Sequence, residues 1–580
     1  MSAPTSSPLR RSFEPDGSRT TVGPAGEIVH ERLLAHTDRL ARRLYEVIDG
    51  VWCMVGNGLS NQTFVRGPEG LIAIDTGESV EEMQEALTAV REVTDAPVVA
   101  VIYTHFHYCN GTLALVAEAG HELPIWGHEK IESNLRRMAV EMSTALVRGV
   151  VQQFALVLPD DGPDGVVNVG LGLRYHMARH APFTPGFMPP THTINESLTT
   201  TIAGLRVELR PAPSDADDNI TVWFPDLGVC VNNLVWPALF NVFAIRGEEY
   251  RDPRVLLVGI DEILAFRPDH LVGVHGPPIE GGDRIQRDVT DYRDAIQFLW
   301  DQTVRGVNLG LTSGELIEFV QLPDRFERSY LTQQNYGLVE HHVRQIHAGL
   351  RGWFDGEEST LFPVPTAERC RRLVAGFGGA EAVRTQVQTA IDDDDLRWAL
   401  ELATWLVRGE TGADGRADAG TPAYRALLAT VLRTIAQRTT AANIRHWCLT
   451  RAHELEGTID LSRFRQTRFG RSTILASPPD AFVHGLRVLL DPRRAEAVDD
   501  ELAWRFTDAT TTGLRIRRGV AVPTDGSAAV LAIELDQATW ASVVSGETPL
   551  AQAIDDGSVT VHGDRDRVEQ FFGCFDLMYD

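Results

Sequence analysis

Residues Tyr103 to Thr112 read YTHFHYCNGT. Two histidines, one residue apart, follow PVVAVIYTH (Pro97 to His105), an uninterrupted apolar run that reads as a buried strand. In α/β proteins the C-terminal ends of such strands are where ligands gather. The loop therefore has the place and spacing of a metal site, since neutral imidazole is a strong zinc ligand. The preceding sequence supports this. Thr63 to Thr76, TFVRGPEGLIAIDT, reads as two strands around a Gly-Pro-Glu-Gly turn. SVEEMQEALTAVREV then opens with Ser79 and Glu82 as a capping box and carries Met83, Leu87, Val90 and Val93 at helical spacing. Later runs, LRVELRPAP, ITVWFPD, VCVNNLVW and HLVGVHGPP, repeat the strand-then-loop habit. The expected fold class is α/β, an αββα sandwich over about residues 31–362.

Further regions flank this one. Residues 1–30, rich in Ser, Pro and Arg near their start, read as a disordered lead-in with no apolar core of a secretory signal. Residues 363–465 read as an all-α domain, with Trp398, Leu402 and Trp405 on one repeating face and a polar linker from Gly409 to Pro422. Such helical pairs pack on each other or on a second copy of themselves. Residues 466–580 read as a separate α+β domain: LRVLLD as a strand, a helix near Ala495 to Phe506, then the strands of GLRIRRGVAV, AVLAIELD and SVTVHGD and a last helix.

At 580 residues the chain is too long for one core. Its net charge of -26 argues against a nucleic-acid partner, which needs a concentrated basic surface. Lys130 is the single lysine, so arginine supplies nearly all the positive charge. Six scattered cysteines without a C-x-x-C pair fit a reducing cytoplasm better than a disulfide framework. No apolar run approaches the ~20 residues that span a bilayer.

With IDTG upstream, YTHFHYCNGT resembles the metal loop of the metallo-β-lactamase fold, T-H-x-H-x-D-H-x-G-G. Over nearly its whole length the chain resembles the alkyl sulfatases of that superfamily. LPDDGPDGVVNVGLG (Leu158 to Gly172), PPTHTI at Pro189, APSDADDN at Ala212, FNVFAIRG at Phe240 and LRGWFDG at Leu350 occur in that family's order. IRHWCLTRAHEL (Ile444 to Leu455) is similar to a string of its helical dimerization domain. LDPRRA, LRIRRGV, LDQATW and VTVHGD resemble a C-terminal domain of sterol-carrier type. The resemblance implies a hydrolase of sulfate esters or related anions with apolar tails, and a homodimer.

Carried over position by position, the resemblance implies metal ligands at His105, His107, Asp215 and His275, with Asp215 standing where the family has a glutamate, one methylene longer. Arg246 becomes a sulfate contact and His341 takes a family histidine position. Other positions depart. Cys109 stands for an aspartate ligand, Asn110 for a histidine, and Asn233 for a glutamate bridging two zincs. Pro237 and Phe240 replace two histidines, one of them an acid for the leaving group. Two adjacent dications need anionic ligands between them, so these losses point to one zinc, or two if Cys109 binds as thiolate. Cys109 otherwise reads as a small buried side chain. A two-histidine, one-carboxylate set also suits Fe(II), so a mononuclear redox enzyme or lyase is the alternative. A non-catalytic binding protein is a third reading. His176, His180 and His192 crowd one loop and can be solvated or can supply a ligand or acid.

Overall fold

A computed structural model describes residues 12–412, 418–465, 469–475 and 477–577. The hairpin expected at Thr63 to Thr76 forms as Gln62–Gly67 and Gly70–Ile74, with Gly67 opposite Gly70. Gly70 has a φ of 145°, which explains a glycine at the second strand's first residue. These two strands sit inside a seven-stranded sheet. Arg43–Ile48 and Val51–Val55 precede them in it, and Val98–Ile102, Ile125–His128 and His192–Ile194 follow. The last three join in parallel, and parallel pairing requires crossovers. Val80–Arg91 and Thr112–Ala119 supply the first two as helices.

A second sheet of six strands runs Leu198–Ile202, Leu205–Pro211, Ile220–Phe224, Val229–Asn232, His270–Gly273 and Ile279–Glu280. Val55, Val65, Ile72 and Ile102 of the first sheet share one buried cluster with Val207, Ile220, Val222 and Val272 of the second. The expected sandwich is therefore present. At its rim the Ile220 amide donates to the Thr104 carbonyl at 2.8 Å, which ties the metal-like loop to the second sheet.

Only half of the expected capping box forms. Ser79 Oγ accepts from the Glu82 amide at 3.2 Å, but the Glu82 carboxylate accepts from the Glu78 amide and from Gln62 Nε2. Burial among these donors redirects it. Val93 lies past the helix end and is exposed.

The helices Thr366–Gly376, Ala380–Asp392, Leu396–Arg408, Pro422–Arg438 and Ala442–Glu456 confirm the helical reading of the middle region. They share one apolar core with Trp236, Ile260, Leu299 and Val343, so packing does not break at residue 363. By compactness the chain divides into Met1–Ile131 with Val150–Asp460, and Glu132–Gly149 with Leu461–Asp580. Val140 belongs to the core of the second unit, beside Phe469, Phe482 and Trp504. A linear reading placed that segment in the first domain.

Two expectations for the C-terminal region are corrected. LRVLLD lies in a single helical turn, Leu486–Leu489, and the start of the loop after it. The helix expected near Ala495 to Phe506 is largely a strand, Asp500–Phe506, paired in parallel with Leu531–Leu535. Leu502, Trp504 and Phe506 are buried at period two, and that alternation overrides helix propensity. The lead-in is also corrected. From Ser12 onward it is described, Phe13 is buried, and Thr20–Val22 pairs with Ile28–His30. Residues 1–11 lie outside the described residues.

Gly111 closes the metal-like loop where an added Cβ would stand 2.0 Å from the Thr76 carbonyl oxygen and 2.5 Å from Met83 Cβ. Backbone cannot yield as a side-chain end can. Gly111→Ala should therefore destabilise the protein by at least ~1–3 kcal/mol, read as a lowered thermal midpoint. An unchanged midpoint would show that the loop has slack.

Candidate metal centre

The strand Val98–Ile102 delivers Thr104 and His105, and the turn Phe106–Tyr108 presents His107 on the same side. Asp215 arrives from the loop between two strands of the second sheet. His107 Nδ1 lies 3.3 Å from Asp215 Oδ2, and His105 Nε2 lies 3.8 Å from Asp215 Oδ1. Ligand atoms on a tetrahedral zinc are separated by about 3.4 Å, so the three side chains stand near coordinating geometry. Among the described residues they are the one His/Cys/Asp/Glu group whose ligand atoms all lie within 4.8 Å. His107 Nε2 is buried without a hydrogen-bond partner.

The surroundings hold each ligand in position. Asp75 accepts from the Thr104 amide at 2.8 Å and from Thr104 Oγ1 at 2.7 Å. Thr104 Oγ1 spends its proton there, so it accepts from His105 Nδ1 at 2.9 Å. The lone pair of His105 is left on Nε2, facing Asp215. Asn233 donates through Nδ2 to Asp215 Oδ1 at 2.7 Å, and its Oδ1 accepts from Trp236 Nε1 at 2.9 Å. Indole is only a donor and the carboxylate only an acceptor, so both ends of the amide are assigned by chemistry.

Glu248, which the sequence reading missed, closes the far side. Its Oε1 lies 3.8 Å from His107 Nε2 and accepts from Arg246 Nε at 2.9 Å, while Arg251 approaches Oε2 at 3.4 Å. Burial pulls His107 towards neutrality, but the carboxylates of Asp215 and Glu248 facing its two ring nitrogens overcome it and lift its pKa to about 9. Burial would raise the two acids. His105 and His107 hold Asp215 well below the carboxylate range, and Arg246 and His107 do the same for Glu248. Burial depresses His105 to about 3, so its imidazole stays neutral and able to ligate.

The other expected residues fall differently. His275 is outside the trio: its Nδ1 faces the Leu59 carbonyl at 3.0 Å and its Nε2 faces Tyr108 Oη at 3.4 Å. The Tyr108 ring stands between, 5.2 Å from His105 and 5.5 Å from His275. Cys109 is outside the trio too. Its Sγ donates to the Phe106 carbonyl at 3.0 Å, and burial together with Asp218 and Asp75 pushes its pKa well up, away from thiolate. Arg246 is at the site, engaged by Glu248 and beside Phe154. His341 is elsewhere, in a helix Val339–Arg351 where it faces Phe243 and lines an apolar cavity. His176 stacks between Tyr175 and Phe183, His180 meets Glu85 at 3.1 Å, and His192 stacks on Trp126.

Three family descriptions match: metallo-beta-lactamase superfamily over residues 55–231, alkyl sulfatase dimerisation over 312–458, and alkyl sulfatase C-terminal over 469–579. A linear primary-alkylsulfatase of Pseudomonas sp. (strain ATCC 19151) is 34% identical over 532 residues, covering 88% of this chain and 98% of the relative. The chain belongs to the alkylsulfatase family.

An (R)-specific secondary-alkylsulfatase of Pseudomonas sp. is 28% identical, over 92% of this chain and 80% of its own. The solved structure of a stereoselective inverting sec-alkylsulfatase from Pseudomonas sp. superposes with a TM-score of 0.83 at 27% identity, covering 94% of this chain and 87% of that one. Within this alkylsulfatase frame Asn233 offers N–H, not an anionic oxygen, where the resemblance implied a bridging glutamate. Tyr108 stands beside the histidine that a second zinc would need. Phe240 is buried and stacks on Trp236 at 4.3 Å.

Thr104→Val keeps the shape of residue 104 and removes the hydroxyl that fixes the His105 tautomer. It should weaken zinc affinity by about 10- to 100-fold in a chelator competition, with the fold retained by circular dichroism. Unchanged affinity would show that Asn233 alone orients the ring.

Proposed function

We propose that this protein is a metal-dependent hydrolase of sulfate esters with one metal per chain, held by His105, His107 and Asp215. The observation that carries the reading is the trio itself, intact in an alkylsulfatase frame whose second set of ligands is replaced. When bound, the metal would supply Lewis acidity to the ester and activate water. The chain's own residues do the rest. Asp215 keeps its charge because Asn233 Nδ2 and His107 Nδ1 face it. Arg246 and Arg251 outnumber Glu248 and leave one positive charge beside the trio, suited to an anionic ester. On the His275 side, Tyr108 Oη is the proton-bearing atom: His275 Nδ1 donates to Leu59, so Nε2 accepts from the phenol. Pro237 and Phe240 offer no acid to the departing alkoxide, so dodecyl sulfate should turn over slowly.

The same trio suits Fe(II), and metal analysis of protein purified with and without oxygen separates the two metals. The expected result is one metal per chain, lost when His105 and His107 are changed together to alanine. A content near two in the unmodified protein would overturn the mononuclear reading. Writing back Cys109→Asp, Asn110→His and Asn233→Glu should still leave zinc near one, because Tyr108 remains. Adding Tyr108→Ala should raise it towards two without restoring full rates, since general acid help is typically ~100- to 10,000-fold.

We also propose a homodimer. Trp353 and Phe362 are 72% and 86% exposed, and Leu361 is exposed as well. The apolar cavity that His341 lines, about 480 Å³, is walled by Leu400, Leu428, Leu432 and Trp447 of the helical region. Uncovered apolar surface of this kind is ordinarily buried by a partner. Sedimentation should find a dimer at micromolar concentration, and Phe362→Asp should shift it towards monomer. A wild-type monomer would sink the proposal.

A further inference from the structure

A second cavity, about 330 Å³, opens on the other side of His275. Its charge is opposite to that of the chain. Overall, 80 acidic residues outnumber 54 basic ones. Around this cavity stand five arginines, Arg39, Arg284, Arg287, Arg325 and Arg328, against Asp288 and Asp291. Arg284 and Arg287 share the one carboxylate of Asp288, at 3.4 and 3.2 Å. Arg325 reaches Asp291 at 3.6 Å. Arg39 stacks on the Tyr330 ring at 3.8 Å, and the Arg328 guanidinium has no ion pair or hydrogen bond among the described residues. Three positive charges are thus uncompensated. Exposed like charges at one mouth repel, and a concave wall focuses their field on whatever enters. The pairs that exist are long and their arginines more than half exposed, so the guanidiniums can turn to a ligand at little cost.

We propose that this cavity is a binding site for a tetrahedral dianion of the sulfate or phosphate class, separate from the metal centre. Guanidinium presents paired N–H donors matched to such oxyanions, and several converging arginines suit two charges better than one. Trp236, Pro237 and His275 form its inner wall. Trp236 and His275 also face the metal centre, meeting edge to face at 5.7 Å. A dianion held here would sit across a single layer of side chains from Tyr108. The proposal rests on the cavity alone and stands or falls apart from the hydrolase reading.

Sodium sulfate titrated into the metal-loaded full-length protein by calorimetry at low ionic strength is the test. Wild type should bind sulfate and phosphate in preference to chloride at matched ionic strength. The Arg287→Ala/Arg328→Ala variant should bind sulfate at least tenfold more weakly, with metal content unchanged. Arg287→Lys/Arg328→Lys, which keeps the charge, should recover most of the affinity and so separates loss of charge from misfolding. Equal sulfate binding by wild type and the alanine variant would overturn the proposal, placing any sulfate at the metal centre. Butyl sulfate that binds as tightly as inorganic sulfate and loses the same tenfold in the Arg287→Ala/Arg328→Ala variant would also overturn it, in favour of a site for organic esters.

Discussion

Asp215 holds a full negative charge where almost no water reaches, and the arrangement around it follows from that constraint. A buried carboxylate is tolerated only when its lone pairs are met. His107 Nδ1 faces Oδ2 and Asn233 Nδ2 donates to Oδ1, with the His105 ring beside Asn233. Each of these is fixed in turn by a partner of its own: Thr104 under His105, Glu248 beyond His107, Trp236 behind Asn233. The charges then alternate outward, from Asp215 to His107, Glu248 and the two arginines. Pulling any one out leaves a buried neighbour uncompensated, which is far more costly than losing a surface pair.

The sequence showed the two-sheet layer and the pair of histidines because both are written in local pattern. PVVAVIYTH has the apolar continuity of a parallel strand, and the loop after it can hold only what its end allows. Asp215 was legible through likeness of APSDADDN, not through spacing. Glu248 was not legible, since an acid in an RGEE string looks like any solvated turn. The one signal was its place two residues after Arg246. Tyr108 was hidden in the same way, as an aromatic beside a histidine whose direction only the fold decides. Cys109 left two readings open, ligand or small buried side chain, and its Sγ donates to the Phe106 carbonyl.

The C-terminal region shows the opposite error. EAVDDELAWRF offers acidic residues and alanines that favour a helix, and helix was the reading. The strand forms because Leu502, Trp504 and Phe506 must all reach one core, where Trp540 and Phe571 meet them. Tertiary burial outweighs a propensity that amounts to less than ~1 kcal/mol per residue.

The departures from the alkylsulfatase pattern are not independent losses. Asn233 suits its position because Trp236 supplies the donor for its carbonyl, and Trp236 is held there by stacking on Phe240 and packing edge-on to His275. Tyr108 in turn gives His275 Nε2 a partner in place of a metal. Asn233, Phe240, Trp236, Tyr108 and His275 thus form one interlocked set, joined by hydrogen bonds and by ring packing. A single reversion inside it would strand a buried polar atom at a cost of about 1–3 kcal/mol. Packing of this kind resists stepwise return.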